Sequence, residues 1–344
     1  MSRMPQGPVL AAGTWLGPEL QSRTEQWIYE LTDQEREQLR YATASVRDRQ
    51  IPLHRISPRE FQLPTLGPRL RRAARDVSEG LGFVLLRGFP TEGLSAEEIA
   101  TLFFGALTHI GIPIAQSSRN DLIGDVRDEG NTTAATRGYQ TNRALGYHSD
   151  SADLVSLFCV QPAASGGLSK IMSAVAVHNI IQAQRPDLLA VLYEEPFYCS
   201  WSGQQPKDQL PFYWTHFFSW YDGRLHTSGI KEKYVDWPPM SPVQQEAIEF
   251  VRSVLTCHED ELALAMDFRP GDVQILDNSI VWHSRTGFVD HTDPRKRRHL
   301  LRIWLNYYAE RPVAPDFWNR HEMVDQLASS PKRRLFDVDV FDTW

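Results

Sequence analysis

Apolar residues recur along this chain at two periods, and each change of period marks an element. Leu70, Ala73, Ala74 and Val77 fall three or four apart, which predicts a helix over 68–81 that stops near Gly80 and Gly82. Residues 18–48 are rich in Glu, Gln and Arg and read as helical, with a cap at Thr32. Ser95 followed by Glu98 is a capping-box pattern that opens a helix running to about Ile110. Further helices are predicted over 174–193 and 242–257. Between them lie short apolar or alternating runs bounded by Gly, Pro, Asn and Asp. These predict strands over 83–86, 154–160, 169–173, 262–268, 273–276, 281–284 and 299–307, and a hairpin over 212–230 with Asp222-Gly223 at its tip.

Strands on both sides of a helical insert predict an α+β fold. Its core is a double-stranded β-helix, or jelly roll, with helices packed outside. No internal repeat or composition shift divides the chain, so 1–344 reads as a single domain. The stretch 114–146 is polar and without period, and a loop of that length inside a compact protein is usually functional. Residues 117–147 and 200–211 are the candidate substrate-facing loops.

Composition narrows the partners. Lys+Arg 36 against Asp+Glu 43 gives a net charge of −7, no electrostatic reason to expect nucleic acid or an anionic membrane. No apolar run is long enough to span a bilayer and the first residues do not resemble a signal peptide, so a cytoplasmic location is expected. The sequon at Asn131 is discounted on the same ground. Three widely spaced cysteines suggest no disulfide framework, and Cys159 reads as a buried small hydrophobe.

Candidate chemistry lies in a histidine–carboxylate pattern. Two histidines and one carboxylate can hold one face of a ferrous ion and leave the opposite face open. The chain contains three His-x-Asp triplets, at His148, His258 and His291. On a strand, residues i and i+2 share a side, so each triplet could grip a metal. A third ligand must come from across the barrel, with many strand residues between. His258 follows a helix and lies too close in sequence to His283 for that. His291 lies in a charged turn. His148 begins a strand region and is far from His283, which the Pro270-Gly271-Asp272 and Asp277-Asn278 turns place at a strand start near a barrel mouth. His148, Asp150 and His283 are therefore the candidate catalytic and metal-binding residues, although a histidine at the end of a core strand is often only hydrogen-bonded.

Arg298 and Arg302 interrupt the apolar alternation of 299–305, which needs anionic partners. An outer-face salt bridge would satisfy that; so would carboxylates inside the barrel.

In this order and spacing, Gly82-Phe83-Val84-Leu85-Leu86-Arg87-Gly88, the His-x-Asp pair, Gly166-Gly167-Leu168-Ser169, the Pro-Gly-Asp turn with Asp277-Asn278, His283 and Arg298 to Leu305 resemble the taurine dioxygenase-like family of iron(II)/2-oxoglutarate-dependent oxygenases. The resemblance implies a clavaminate synthase-like jelly roll. It also implies an enzyme that uses Fe(II), the cosubstrate 2-oxoglutarate and dioxygen to oxidise, most often hydroxylate, an unactivated C–H bond, releasing succinate and carbon dioxide. By position, Arg298 would hold the distal carboxylate of 2-oxoglutarate with help from the Ser169 hydroxyl. Arg302 would touch the cosubstrate or an anionic group of the substrate. Asp150 argues against halogenation, which uses that coordination position for chloride. Arg119, Arg127, Arg137 and Arg143 in the long loop suggest a small polar substrate, anionic or zwitterionic, with Tyr139 and Asn142 as further substrate contacts. A homo-oligomer is compatible with the sequence. The competing readings are a cupin-like metal enzyme that does not use 2-oxoglutarate and a catalytically silent binding protein on the same fold.

Overall fold

Strand alternation sorts the apolar residues of one central sheet into two separate cores. The computed structural model describes residues 4–116, 121–130, 136–200, 210–230, 234–236, 238–307 and 314. In chain order the elements that matter are β1 (Ile28–Glu30), α1 (Asp33–Asp48), α2 (Leu66–Glu79), β2 (Phe83–Arg87), α3 (Ala96–Leu107), β3 (Ile112–Ile114), β4 (Gly124–Val126), β5 (Leu145–His148), β6 (Leu154–Gln161), β7 (Ser169–Ser173), α4 (Ala174–Gln184), α5 (Pro186–Glu194), α6 (Pro242–Cys257), β8 (Leu264–Met266), β9 (Val273–Asp277), β10 (Val281–Arg285) and β11 (His299–Asn306). The larger sheet runs β1-β2-β9-β6-β11-β3, with β4 also pairing β11; the smaller runs β8-β7-β10-β5.

On one face of the larger sheet Val84, Leu86, Phe158, Ile275, Leu301 and Ile303 pack with Leu39, Leu70 and Phe104 of α1, α2 and α3. On the other face Phe83, Leu85, Val155, Leu300 and Trp304 share a cluster with Ile171 and Trp282 of the smaller sheet and with residues of α4, α5 and α6. The period-2 pattern thus makes the two-sheet core that the sequence predicts, with helices outside it. No described helix is long and apolar enough to cross a membrane.

Several local expectations hold to within a residue or two. Thr32 and Ser95 each cap a helix as expected, through a reciprocal capping box, and Ser241 caps the helix over 242–257 in the same way. Asp222 (φ 50°) and Gly223 (φ 72°) turn the hairpin between Phe218–Tyr221 and Arg224–Thr227.

Others fail for physical reasons. The helix predicted over 18–48 is broken by β1, which pairs in parallel with Leu85–Arg87 of β2, while Trp27 is buried with its indole N–H on the Leu20 carbonyl. Tertiary pairing there overrides a helical composition. The helix over 174–193 is two helices, because Pro186 starts a new one at its first position. The hairpin predicted over 212–230 is shorter, since Phe212–Thr215 pairs instead with Phe197–Ser200. Residues Glu259–Leu262 are helical, so the strand expected from 262 begins at Leu264. Most of 200–211, parts of 117–147 including Arg119 and the Asn131 sequon, and the segment after Arg311 apart from Ala314 lie outside the described residues.

Candidate active site

β5 and β10 pair antiparallel with His148 directly opposite His283, and directly opposed residues project to the same side. Their rings lie 4.3 Å apart between centroids. His283 is the third of five residues in its strand rather than at the strand's start, and Asp150 lies just past the end of β5 rather than on it. Asp150 is aimed instead by two turns of chain meeting. Its N–H donates to Asn278 Oδ1 at 3.0 Å, and Asn278 Nδ2 donates to the Ala152 carbonyl at 3.0 Å. Ser149 faces away and donates to the Ser228 carbonyl. One ligand atom from each of His148, Asp150 and His283 lies within 4.8 Å of the others, and no other such group occurs among the described residues. His258 pairs with Glu261, and His291 gains no metal-binding neighbours there.

The electrostatics suit a cation. Burial by itself would raise the Asp150 pKa. The charge of Arg302, with the nearby His283 and His148 imidazoles and the hydrogen bond from Trp304, outweighs it and holds the carboxyl well below the usual range. Burial, His148 and Arg302 depress His283 to about 3 despite the opposing pull of Asp150, so its imidazole is neutral and keeps a lone pair for a metal. His148 Nδ1 lies 2.8 Å from the Gly146 carbonyl, which can only accept, so Nδ1 donates to it and Nε2 keeps its lone pair for a metal.

A cavity of about 370 Å³ opens between the two sheets, and His148, Asp150, Ser169, His283, Arg285, Arg298 and Arg302 all line it. Arg298 is 4% exposed, and its Nη1 is buried with no hydrogen-bond partner. Its guanidinium lies 5.0 Å from the Phe288 ring centroid, its backbone N–H donates to Asp290, and burial lowers its pKa to about 10, leaving it charged at neutral pH. A buried cation with an unused N–H calls for an anion. Two histidines, a carboxylate and this guanidinium therefore fit iron(II) with a carboxylate-bearing cosubstrate.

Gly167 makes room for Arg298. Its φ is +71°, and a Cβ there would stand 3.0 Å from Arg298 Nε and 3.4 Å from Phe288 Cβ. Gly167→Ala combines backbone strain of about 1–2 kcal/mol with a displaced guanidinium. The variant is expected to melt lower and to bind 2-oxoglutarate several-fold more weakly in an equilibrium titration.

The other expected site residues divide. Ser169 lines the cavity and its hydroxyl exchanges hydrogen bonds with buried Gln274, whose Nε2 lies 3.1 Å from Ser169 Oγ. Arg302 Nη1 is 3.6 Å from Asp150 Oδ2, and its Nε donates to Gln116 at 2.8 Å. The Arg302 guanidinium stands 4.7 Å from the Tyr139 ring centroid and 5.0 Å from that of Trp304. Tyr139 and Arg137 reach the cavity wall; Asn142 does not, being exposed and joined to the fold through its carbonyl, which accepts from Phe288 N–H. Arg127 and Arg143 are also away from this cavity.

Three contributors escape a reading of the sequence. Trp304 Nε1 donates to Asp150 Oδ2 at 2.9 Å, Asn278 braces the Asp150 backbone, and Arg285 lines the cavity. Arg285 follows His283 by two on a strand, so parity alone would have put it on the metal side.

Among curated proteins, FR-33289 synthase of Streptomyces rubellomurinus is 26% identical over 335 residues, covering 94% of this chain and 97% of the synthase. A taurine hydroxylase-like protein of Stachybotrys chartarum is 27% identical over 307 residues, covering 84% of this chain and 77% of that protein. Among solved structures, asparagine oxygenase in complex with Fe(II), 2S,3S-3-hydroxyasparagine and succinate superposes with a TM-score of 0.64 at 19% identity, over 81% of this chain and 93% of that one. The non-heme iron oxygenase OrfP in complex with Fe and alpha-ketoglutaric acid gives 0.63 at 16% identity, over 81% and 93%. At those identities the structural likeness is one of fold, and it matches the jelly-roll core. The family model of the taurine catabolism dioxygenase TauD, TfdA family matches residues 47–304, a span that contains the triad and both arginines. The chain belongs to the TauD/TfdA family of dioxygenases.

Proposed function

We propose that His148, Asp150 and His283 hold the iron of this 2-oxoglutarate-dependent dioxygenase, and that Arg298 takes the distal carboxylate of the cosubstrate. The enzyme is an iron(II)- and 2-oxoglutarate-dependent oxygenase that hydroxylates a small molecule. The reaction balances as substrate C–H, 2-oxoglutarate and dioxygen giving substrate C–OH, succinate and carbon dioxide. The observation that carries the residue assignment is the convergence of the three ligand atoms with the unpaired, buried Arg298 Nη1 in one cavity. Bound iron supplies the redox chemistry with dioxygen; the side chains supply position and a water-poor wall. Trp304 fixes Asp150 by a hydrogen bond and Arg302 neutralises it, so the carboxylate stays ionised and correctly turned. His148 is fixed by the Gly146 carbonyl.

The substrate in this reading is a small polar molecule with a carboxylate or another anionic group. It lies over Tyr139, with Arg137 and Arg302 flanking that ring at 5.8 and 4.7 Å from its centroid. The hydroxylated amino acid held by asparagine oxygenase supports that class.

Anaerobic addition of Fe(II) and then 2-oxoglutarate to the purified protein should produce a visible charge-transfer band. Arg298→Met should weaken 2-oxoglutarate binding by about ten- to a hundredfold, the worth of a charge-assisted hydrogen bond to a carboxylate. An unchanged dissociation constant in that variant would remove the assignment of Arg298. Candidate substrates are then scored by substrate-dependent succinate release.

A further inference from the structure

Arg285 is a second buried cation in the cavity. It is 6% exposed, and both Nε and Nη1 are buried with no hydrogen-bond partner. Its third nitrogen, Nη2, donates to the backbone carbonyls of Thr141, at 2.8 Å, and Arg143. Among the described residues no carboxylate is in ion-pair contact with it, and Asp128 acts on it only at longer range. Its guanidinium lies 4.9 Å from the centroid of Phe288, the ring that Arg298 also approaches, at 5.0 Å. In the strand register Arg285 stands directly opposite Ser169. Two guanidiniums with unused N–H groups and one hydroxyl therefore gather at one end of the cavity, about a single ring. Asp128 acts on Arg285 and Asp290 on Arg298 only at longer range, so neutral water would leave both sets of free N–H groups without a contacting anion, which a bound anion would supply.

We propose that Arg285 is a second cosubstrate-binding arginine, which shares the distal carboxylate of 2-oxoglutarate with Arg298 through one of its two free nitrogens, Nε or Nη1, which face opposite edges of the guanidinium, while its Nη2 fastens the 141–143 segment. This rests on the reading that Arg298 takes that carboxylate. It adds a consequence for order. The 141–143 backbone lies between Tyr139, on the cavity wall, and β5, which ends in His148. Filling the anion site immobilises Arg285, and Arg285 then holds the segment that joins the cavity-lining Tyr139 to Ala144. The cosubstrate would thereby prepare the substrate site, so binding of the two is positively coupled.

The test is an anaerobic titration of 2-oxoglutarate into full-length protein loaded with Mn(II), without substrate, for wild type, Arg285→Met, Arg298→Met and Arg285→Lys. 2-Oxopentanoate, which lacks the distal carboxylate, serves as the comparison ligand. The expected result is a roughly tenfold or greater rise in the 2-oxoglutarate dissociation constant in Arg285→Met, with 2-oxopentanoate affinity nearly unchanged. Arg285→Lys keeps the charge but not the two-sided fork, and should lie between. Limited proteolysis should show that 2-oxoglutarate protects the segment around 141–143 in wild type and less so in Arg285→Met. A weakened Arg298→Met beside an Arg285→Met of wild-type affinity overturns the inference and leaves the Arg298 reading intact. It would make Arg285 a loop clip or a contact for the substrate's own anion. Wild-type affinity in both variants overturns the Arg298 reading as well. If Arg285→Met does not fold, Arg285→Lys decides: a ratio of 2-oxoglutarate to 2-oxopentanoate affinity equal to that of wild type counts against the inference.

Discussion

Asp150→Ala should abolish stoichiometric iron binding and lower turnover by more than about a hundredfold, the upper range for changes to mere outer partners of a metal site. Asp150 is the one anionic ligand of the proposed triad, so its loss removes charge as well as an oxygen donor. It also leaves Trp304 Nε1 without its acceptor at 2.9 Å and Arg302 without the carboxylate at 3.6 Å. Deleting one member of a buried pair destabilises by about 3–5 kcal/mol, although Gln116 still accepts from Arg302 Nε and softens the loss. Asp150→Asn separates the two effects. The amide oxygen can still accept from Trp304 and fill the space, so this variant should melt closer to wild type yet remain poor in iron. Metal content after reconstitution and a melting curve of the metal-free protein read the two quantities independently. A fully active, iron-replete Asp150→Ala enzyme would move the metal elsewhere.

The residues that the sequence exposed are those whose chemistry conflicts with their surroundings. His283 lies in the wholly buried strand Val281–Arg285, and Arg302 in β11 among apolar neighbours. Such intrusions are visible without a structure because burying them uncompensated is costly. Even so, the local geometry differed. The strand parity invoked for His148 and Asp150 stops at His148, and the aspartate is aimed by Asn278 and Trp304, which come from distant chain. Contacts of that kind depend on how two sheets close over one another, which no local pattern encodes. β1 escaped for the same reason: three residues gain strand geometry only by pairing with β2. Arg285 was legible in principle, two residues after His283, but the strand predicted over 281–284 stops one residue short of it. Tyr139 and Asn142 lie three apart in one loop, and only the fold tells which of them turns inward.

The second large effect concerns the support behind the proposed metal site. Trp282 precedes His283 on β10 and, by strand alternation, projects to the opposite side. It is fully buried, 5.7 Å from the Phe217 ring and 6.3 Å from the Phe218 ring, with which it stacks. Phe218 continues the aromatic contact to His178 and Tyr193 on α4 and α5. Trp282→Ala should therefore cost about 3–5 kcal/mol of folding stability, the range for emptying an aromatic core site. The same cavity lies directly behind the strand that pairs His283 with His148. A strand free to shift loosens the ligand spacing, so the variant should bind iron less tightly even at temperatures where it is folded. Trp282→Phe, which refills most of the volume, should recover most of both properties. Denaturant melts report the first effect, and iron competition with a chelator on the folded variant reports the second. Full iron affinity in a destabilised Trp282→Ala protein would show that the β5–β10 pairing holds the ligands without the aromatic layer behind it.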